Sequence, residues 1–158
     1  MVQLLLISQL LACGPGARET ASRAYAKEMQ TLWGENLAIG REFMDVATRL
    51  KKDTIDPHDV AKRFDMRVVP RARKLADKVG ALRADTESLQ QVHAGIVRAW
   101  EIRADSYEQM NTAWLTADMQ AYTRALSDNR SVRKAEDRYL EAANTLLAPY
   151  QVALDPNP

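Results

Sequence analysis

Thiol and imidazole are the scarcest chemically capable side chains in this sequence of 158 residues: Cys13 is the single cysteine, and only His58 and His93 carry an imidazole. Nucleophilic triads and histidine-based metal sites both need an imidazole set among further reactive groups or ligands. His58 lies beside Asp56 and Asp59, where a neutral ring facing water is expected. His93 flanks Ile96 and Trp100 on an apolar helix face, and a half-buried, hydrogen-bonded ring is expected there. Carboxylate-bridged metal sites in helical bundles use Glu-x-x-His, but Gln90 stands where the glutamate would be. The sequence has no Cys-x-x-Cys-His, no His-Glu-x-x-His and no Gly-x-x-x-x-Gly-Lys. It therefore lacks the motifs of covalent haem, catalytic zinc and a phosphate-cradling loop. No catalytic residue, cofactor or metal ligand is assigned, and the chain reads as a non-enzyme.

Positive charge is arranged in two informative ways. Arg67, Arg71, Lys74 and Lys78 recur at helical spacing and form one basic stripe, with Arg73 beside it. Such a stripe is either a solvated face paired with acids on a neighbouring helix or a contact for a partner or anionic headgroups. Arg103 falls between Trp100 and Tyr107 on an apolar seam. A guanidinium there demands a carboxylate or aromatic faces, so a structural role is expected. Overall, 22 Lys and Arg stand against 21 Asp and Glu, which gives no general attraction to nucleic acid or acidic lipid.

The elements that must position these groups are helices. The apolar fraction is 46%, Gly and Pro number six each, and long Val/Ile/Thr alternation is missing, so the class is all-α in one domain. Tyr25, Met29, Leu32, Ile39, Phe43, Val46 and Leu50 step by four, three, seven, four, three and four, a heptad seam that predicts a helix over 19–52. Trp33, Met44 and Ala47 widen the stripe, and Asn36 fills the gap, either bonding across the core or lying in water at its edge. Asp56 as N-cap, Pro57 in the first turn and an Ile55–Val60 staple start a second helix, 57–83, kinked at Pro70. Asp85 or Thr86 caps a third, 86–127, which would be about 63 Å long. Ser127-Asp128-Asn129-Arg130-Ser131 reads as a turn before a short fourth helix, 131–148, and 151–158 as a frayed tail. Short connections predict an antiparallel up-down-up-down four-helix bundle over 19–150. With these unequal lengths the third helix overruns the first, and the last covers only one end.

The first residues, Met1 to Ala12, are uncharged and almost continuously apolar, too short to span a bilayer but as long as the core of a signal peptide. Leu10-Leu11-Ala12-Cys13 resembles the lipobox of bacterial lipoproteins, a processing class that is recognised over about a tenth of the chain. The resemblance implies cleavage before Cys13 and lipidation of its sulfur and new amine, which anchors a protein firmly because several acyl chains enter the bilayer. Gly14, standing where inner-membrane retention signals carry Asp, then implies the outer membrane. Residues 13–18, with Gly14-Pro15-Gly16, read as a non-helical tether. If residues 1–12 instead formed a helix packed on the domain, Cys13 would be a small hydrophobe and the protein cytoplasmic.

Together these readings predict a non-catalytic cell-envelope lipoprotein, periplasmic or surface-facing, that is held to the membrane through Cys13. Its bundle would bind a protein partner, with Arg67, Arg71, Lys74 and Lys78 as candidate contacts to that partner or to headgroups. The competing expectation is a soluble carrier of a small ligand or non-covalent haem, with His93, Trp100, Tyr107 and Trp114 lining an interior pocket.

Overall fold

The structure, a computed structural model, describes residues 15–52 and 54–157. The signal-like segment 1–12 and the lipidation candidate Cys13 lie outside the described residues. Among the described residues every regular element is helical. They are α1 (Pro15–Lys51), α2 (Pro57–Arg63), a π-helical turn (Phe64–Val68), α3 (Val69–Ala81), α4 (Glu87–Leu115), α5 (Met119–Leu147) and a 3-10 turn (Ala148–Tyr150). As α2, the π turn and α3 run on without a break, the described residues make four helices.

The seam of α1 is buried as its spacing requires: Tyr25, Met29, Leu32, Asn36, Ile39, Phe43 and Val46 all face the core. Met44 does not widen it, being 58% exposed. The helix begins at Pro15, so Pro15–Arg18 are its first turn and not part of a non-helical tether. Proline has a preset helical φ and gives up a donor that the first turn leaves unbonded anyway.

At the start of α2 the Asp56 carboxylate accepts the His58 N–H at 2.7 Å, while Ile55 packs on the core and Val60 is buried. The irregularity expected at Pro70 falls one turn earlier. Proline cannot donate to the carbonyl four residues back, and the helix widens so that the Val69 N–H reaches the Phe64 carbonyl. The next helix starts at Glu87, where Thr86 Oγ1 accepts the Leu89 N–H at 3.2 Å.

The boundary between the last two helices overturns the expected lengths. α4 stops at Leu115, and the stretch expected to turn, Ser127–Ser131, lies inside α5. Ala117 adopts φ 56°, its N–H bonds the Trp114 carbonyl at 3.2 Å, and the Asp118 N–H bonds the Ala113 carbonyl at 2.8 Å. That pair of bonds is a Schellman closure. Asp118 then caps α5 by accepting the Ala121 N–H at 2.9 Å. With 29 residues each, α4 and α5 are equal in length, about 43 Å, and the expected overrun does not arise.

α4 and α5 share the most extensive contact, and α3 packs on both α4 and α1. These contacts are compatible with the expected up-down-up-down order. Across from α3, large rings bridge α1 and α5, with Trp33 stacked on Tyr139 at 6.1 Å.

The tail, expected to fray, is bonded to α1 and α5 as far as Pro156. Gln151, at φ 54°, turns the chain, and Leu154 is buried. The Asn144 amide of α5 holds both the N–H and carbonyl of Leu154, at 2.7 and 3.1 Å. The Gln30 amide of α1 does the same for Asp155, at 2.8 and 2.9 Å. Trp33 Nε1 adds a bond to the Pro156 carbonyl at 3.2 Å. Two side-chain amides thus replace the backbone partners a strand would have had.

Candidate functional site

The basic stripe is divided by its surroundings. Lys78 Nζ bonds both carboxylate oxygens of Glu35 on α1, at 2.6 and 2.8 Å, and Arg67 lies 3.8 Å from Glu42. Arg71 and Lys74 are exposed and make no ion pair among the described residues. Arg73, outside the stripe, reaches Asp105 and Glu108 on α4, and these bonds hold its guanidinium more firmly protonated than usual. The stripe therefore serves partly as glue between helices, with two free cations in its middle.

Arg103 finds the carboxylate that its position demanded. Its two terminal nitrogens clamp Glu136 of α5, with Nη2 to Oε2 at 3.0 Å. The pair is almost fully enclosed, at 13% and 9% side-chain exposure. Asn36 of α1 donates to Glu136 at 2.8 Å and accepts from Arg103 at 2.7 Å. Trp100 Nε1 adds a third donor to Glu136 at 3.0 Å. The Asn36 alternative is thereby decided: it bonds across the core. Glu136 was not singled out from sequence, although its register just after Val132 and before Tyr139, both buried, places a carboxylate on the core face of α5.

A second buried chain surrounds His93. Its Nε2 lies 3.0 Å from the Val79 carbonyl and its Nδ1 lies 2.9 Å from the Tyr25 hydroxyl. A carbonyl only accepts, so Nε2 carries the proton and the neutral ring accepts from Tyr25 at Nδ1. Tyr25, having donated, accepts from the Tyr139 hydroxyl at 2.8 Å. The direction Tyr139 to Tyr25 to His93 to Val79 is thus fixed across four elements. Burial pulls the His93 ring below its ordinary value of 6.5, with Arg83 acting the same way and the Val79 bond opposing. Burial pushes Tyr25 up to about 12 and raises Tyr139 as well. The ring was expected half-buried and is 7% exposed, lying at the edge of an outward-opening concavity between the α3 end and α4. Neither nitrogen is left for a metal.

The interior around the other rings of the supposed pocket is filled. Trp100 and Tyr107 are fully buried, and the enclosed void beside Phe43, Phe64, Trp114 and Tyr122 measures about 10 Å³. That is room for one water at most. Larger concavities open outward. One of about 580 Å³ runs along the α4–α5 seam, and another of about 780 Å³ runs between the α3 end and α4. Among the described residues no group of His, Cys, Asp and Glu is placed to hold a metal ion, and no helix is long and apolar enough to cross a membrane.

Fold and interior together define the class: the described residues form an all-helical fold of four helices, sewn through its core by buried polar networks, with open concavities on the outside. No family model, curated protein or solved structure matches the chain.

Proposed function

We propose that the chain is a non-catalytic, outer-membrane-anchored lipoprotein of the cell envelope, facing the periplasm or the surface. Its up-down-up-down bundle binds a protein partner with its outer surface. The lipobox-like Leu10-Leu11-Ala12-Cys13 supports the anchor. The observation that carries the binding role is the commitment of the interior. His93, Tyr25, Trp100 and Glu136 spend their polar atoms on other side chains of the interior or on backbone. A haem or small ligand entering beside them would have to break buried hydrogen bonds that have no solvent replacement. Recognition is therefore left to the surface.

Metabolic labelling of the full chain with a palmitate analogue, in a bacterium that processes lipoproteins, tests the anchor. Label is expected on the wild type and lost in Cys13→Ala. Label that persists in the variant, or fails to appear on either protein, removes the membrane from the reading.

A further inference from the structure

The α4–α5 groove differs in charge from the concavities that Asp59, Glu101 and Glu108 line. Its floor is apolar, with Val92, Ala99 and Ile102 from α4 and Val132, Ala135 and Ala142 from α5. Arg98, Lys134 and Arg138 stand along it, and no Asp or Glu lines it. All three cations are exposed and make no ion pair among the described residues. Other outward concavities are lined by acids as well as bases: by Asp56 and Asp59, by Asp105, Glu108 and Asp118, and by Glu101 and Asp105. In a chain with 22 basic and 21 acidic residues, a groove with three unpaired cations and no acid is a local excess that a partner can neutralise.

The groove's shape selects the occupant. Between Gln91 and Ile102 it follows α4 for about 16 Å, roughly three helical turns. A recessed floor between two rods accepts the convex ridge of a third helix, whereas a flat bilayer surface would touch only the rims. Resting on the protein-binding reading above, we propose that the α4–α5 groove seats an acidic amphipathic helix of the partner. Its apolar stripe lies on Val92, Ile102 and Ala135, and its flanking Asp or Glu side chains meet Arg98 on one wall and Lys134 and Arg138 on the other.

The test uses the full chain, isotope-labelled for amide NMR, and two synthetic helical peptides of roughly 14 residues with a Leu/Ala face. One carries Glu on its flanks and the other Lys. The Glu peptide is expected to shift amides along the groove on α4 and α5. In the triple variant Arg98→Glu/Lys134→Glu/Arg138→Glu its affinity is expected to fall at least about tenfold, while the Lys peptide gains. If that variant fails to fold, the triple Gln variant is expected to weaken the Glu peptide by a smaller factor. Equal binding of both peptides to wild type and variant overturns the proposal. Shifts confined to another face overturn the groove but leave a protein-binding bundle standing, and binding of neither peptide anywhere counts against both. Co-sedimentation with phosphatidylglycerol vesicles, or a concentration-dependent dimer, that is abolished by charge reversal while the Glu peptide leaves the groove untouched would assign the groove to a membrane or a second copy.

Discussion

Glu136 is one carboxylate serving three helices, since Asn36, Trp100 and Arg103 all converge on it. Removing one member of a buried ion pair leaves the other charge without compensation, which costs more than the pair itself contributes. Glu136→Gln is therefore expected to lower unfolding stability by about 3 kcal/mol, whereas the double change Arg103→Met/Glu136→Leu recovers only part of that loss, because Asn36 and Trp100 Nε1 then lack an acceptor. Urea unfolding of the three proteins checks this, and a Glu136→Gln loss under about 1 kcal/mol would show that the network is hydrated. Half of this site was legible beforehand. The position of Arg103 between Trp100 and Tyr107 announced the need for a carboxylate, because a seam position is a burial position. Which acid answers it is a tertiary matter: the 33 positions from Arg103 to Glu136 are closed only by folding α5 back onto α4.

At the scale of elements, sequence and structure agree where local chemistry and burial point the same way, as along the α1 seam and at the Asp56 and Thr86 caps. They part at the α4–α5 turn. Ser127–Ser131 is rich in cap residues, yet the helix continues there because Ala125 and Val132 are buried on one face and packing outweighs weak turn preferences. The actual turn has no Gly or Pro to mark it: Ala117 takes the left-handed position that glycine usually fills. A Cβ in that region is strained, and the Ala117 side chain is exposed, so it has little packing to lose. Ala117→Gly is expected to stabilise the fold by about 0.5–1 kcal/mol, read as a higher melting temperature. A lower melting temperature would mean that the Schellman closure does not govern this turn. The docked tail escaped notice for a related reason: its partners Gln30 and Asn144 are ordinary polar helix residues until a backbone segment lies between them.

Across the whole molecule, the chain from Tyr139 through Tyr25 and His93 to Val79 links α5, α1, α4 and α3, so its protonation bears on all four helices together. The unfolded His93 titrates near 6.5 and the folded ring lower, so between those values the unfolded state binds more protons. Stability is then full above about 6.5 and falls as the pH drops towards the depressed folded value. The tyrosines act in the opposite direction. Tyr25 moves from 10.0 to about 12 on folding, so its contribution is present below pH 10 and is lost as the pH rises through that interval. The bundle should therefore be most stable between these limits. Urea midpoints are expected to fall between pH 7.5 and 5.5 in the wild type. His93→Gln still offers a donor to the Val79 carbonyl but cannot titrate; it should be less stable at pH 7.5 and nearly flat over the same range. Parallel pH curves for the two proteins would place the acid sensitivity elsewhere, among carboxylates, and would show that His93 keeps its ordinary affinity for the proton in spite of its burial.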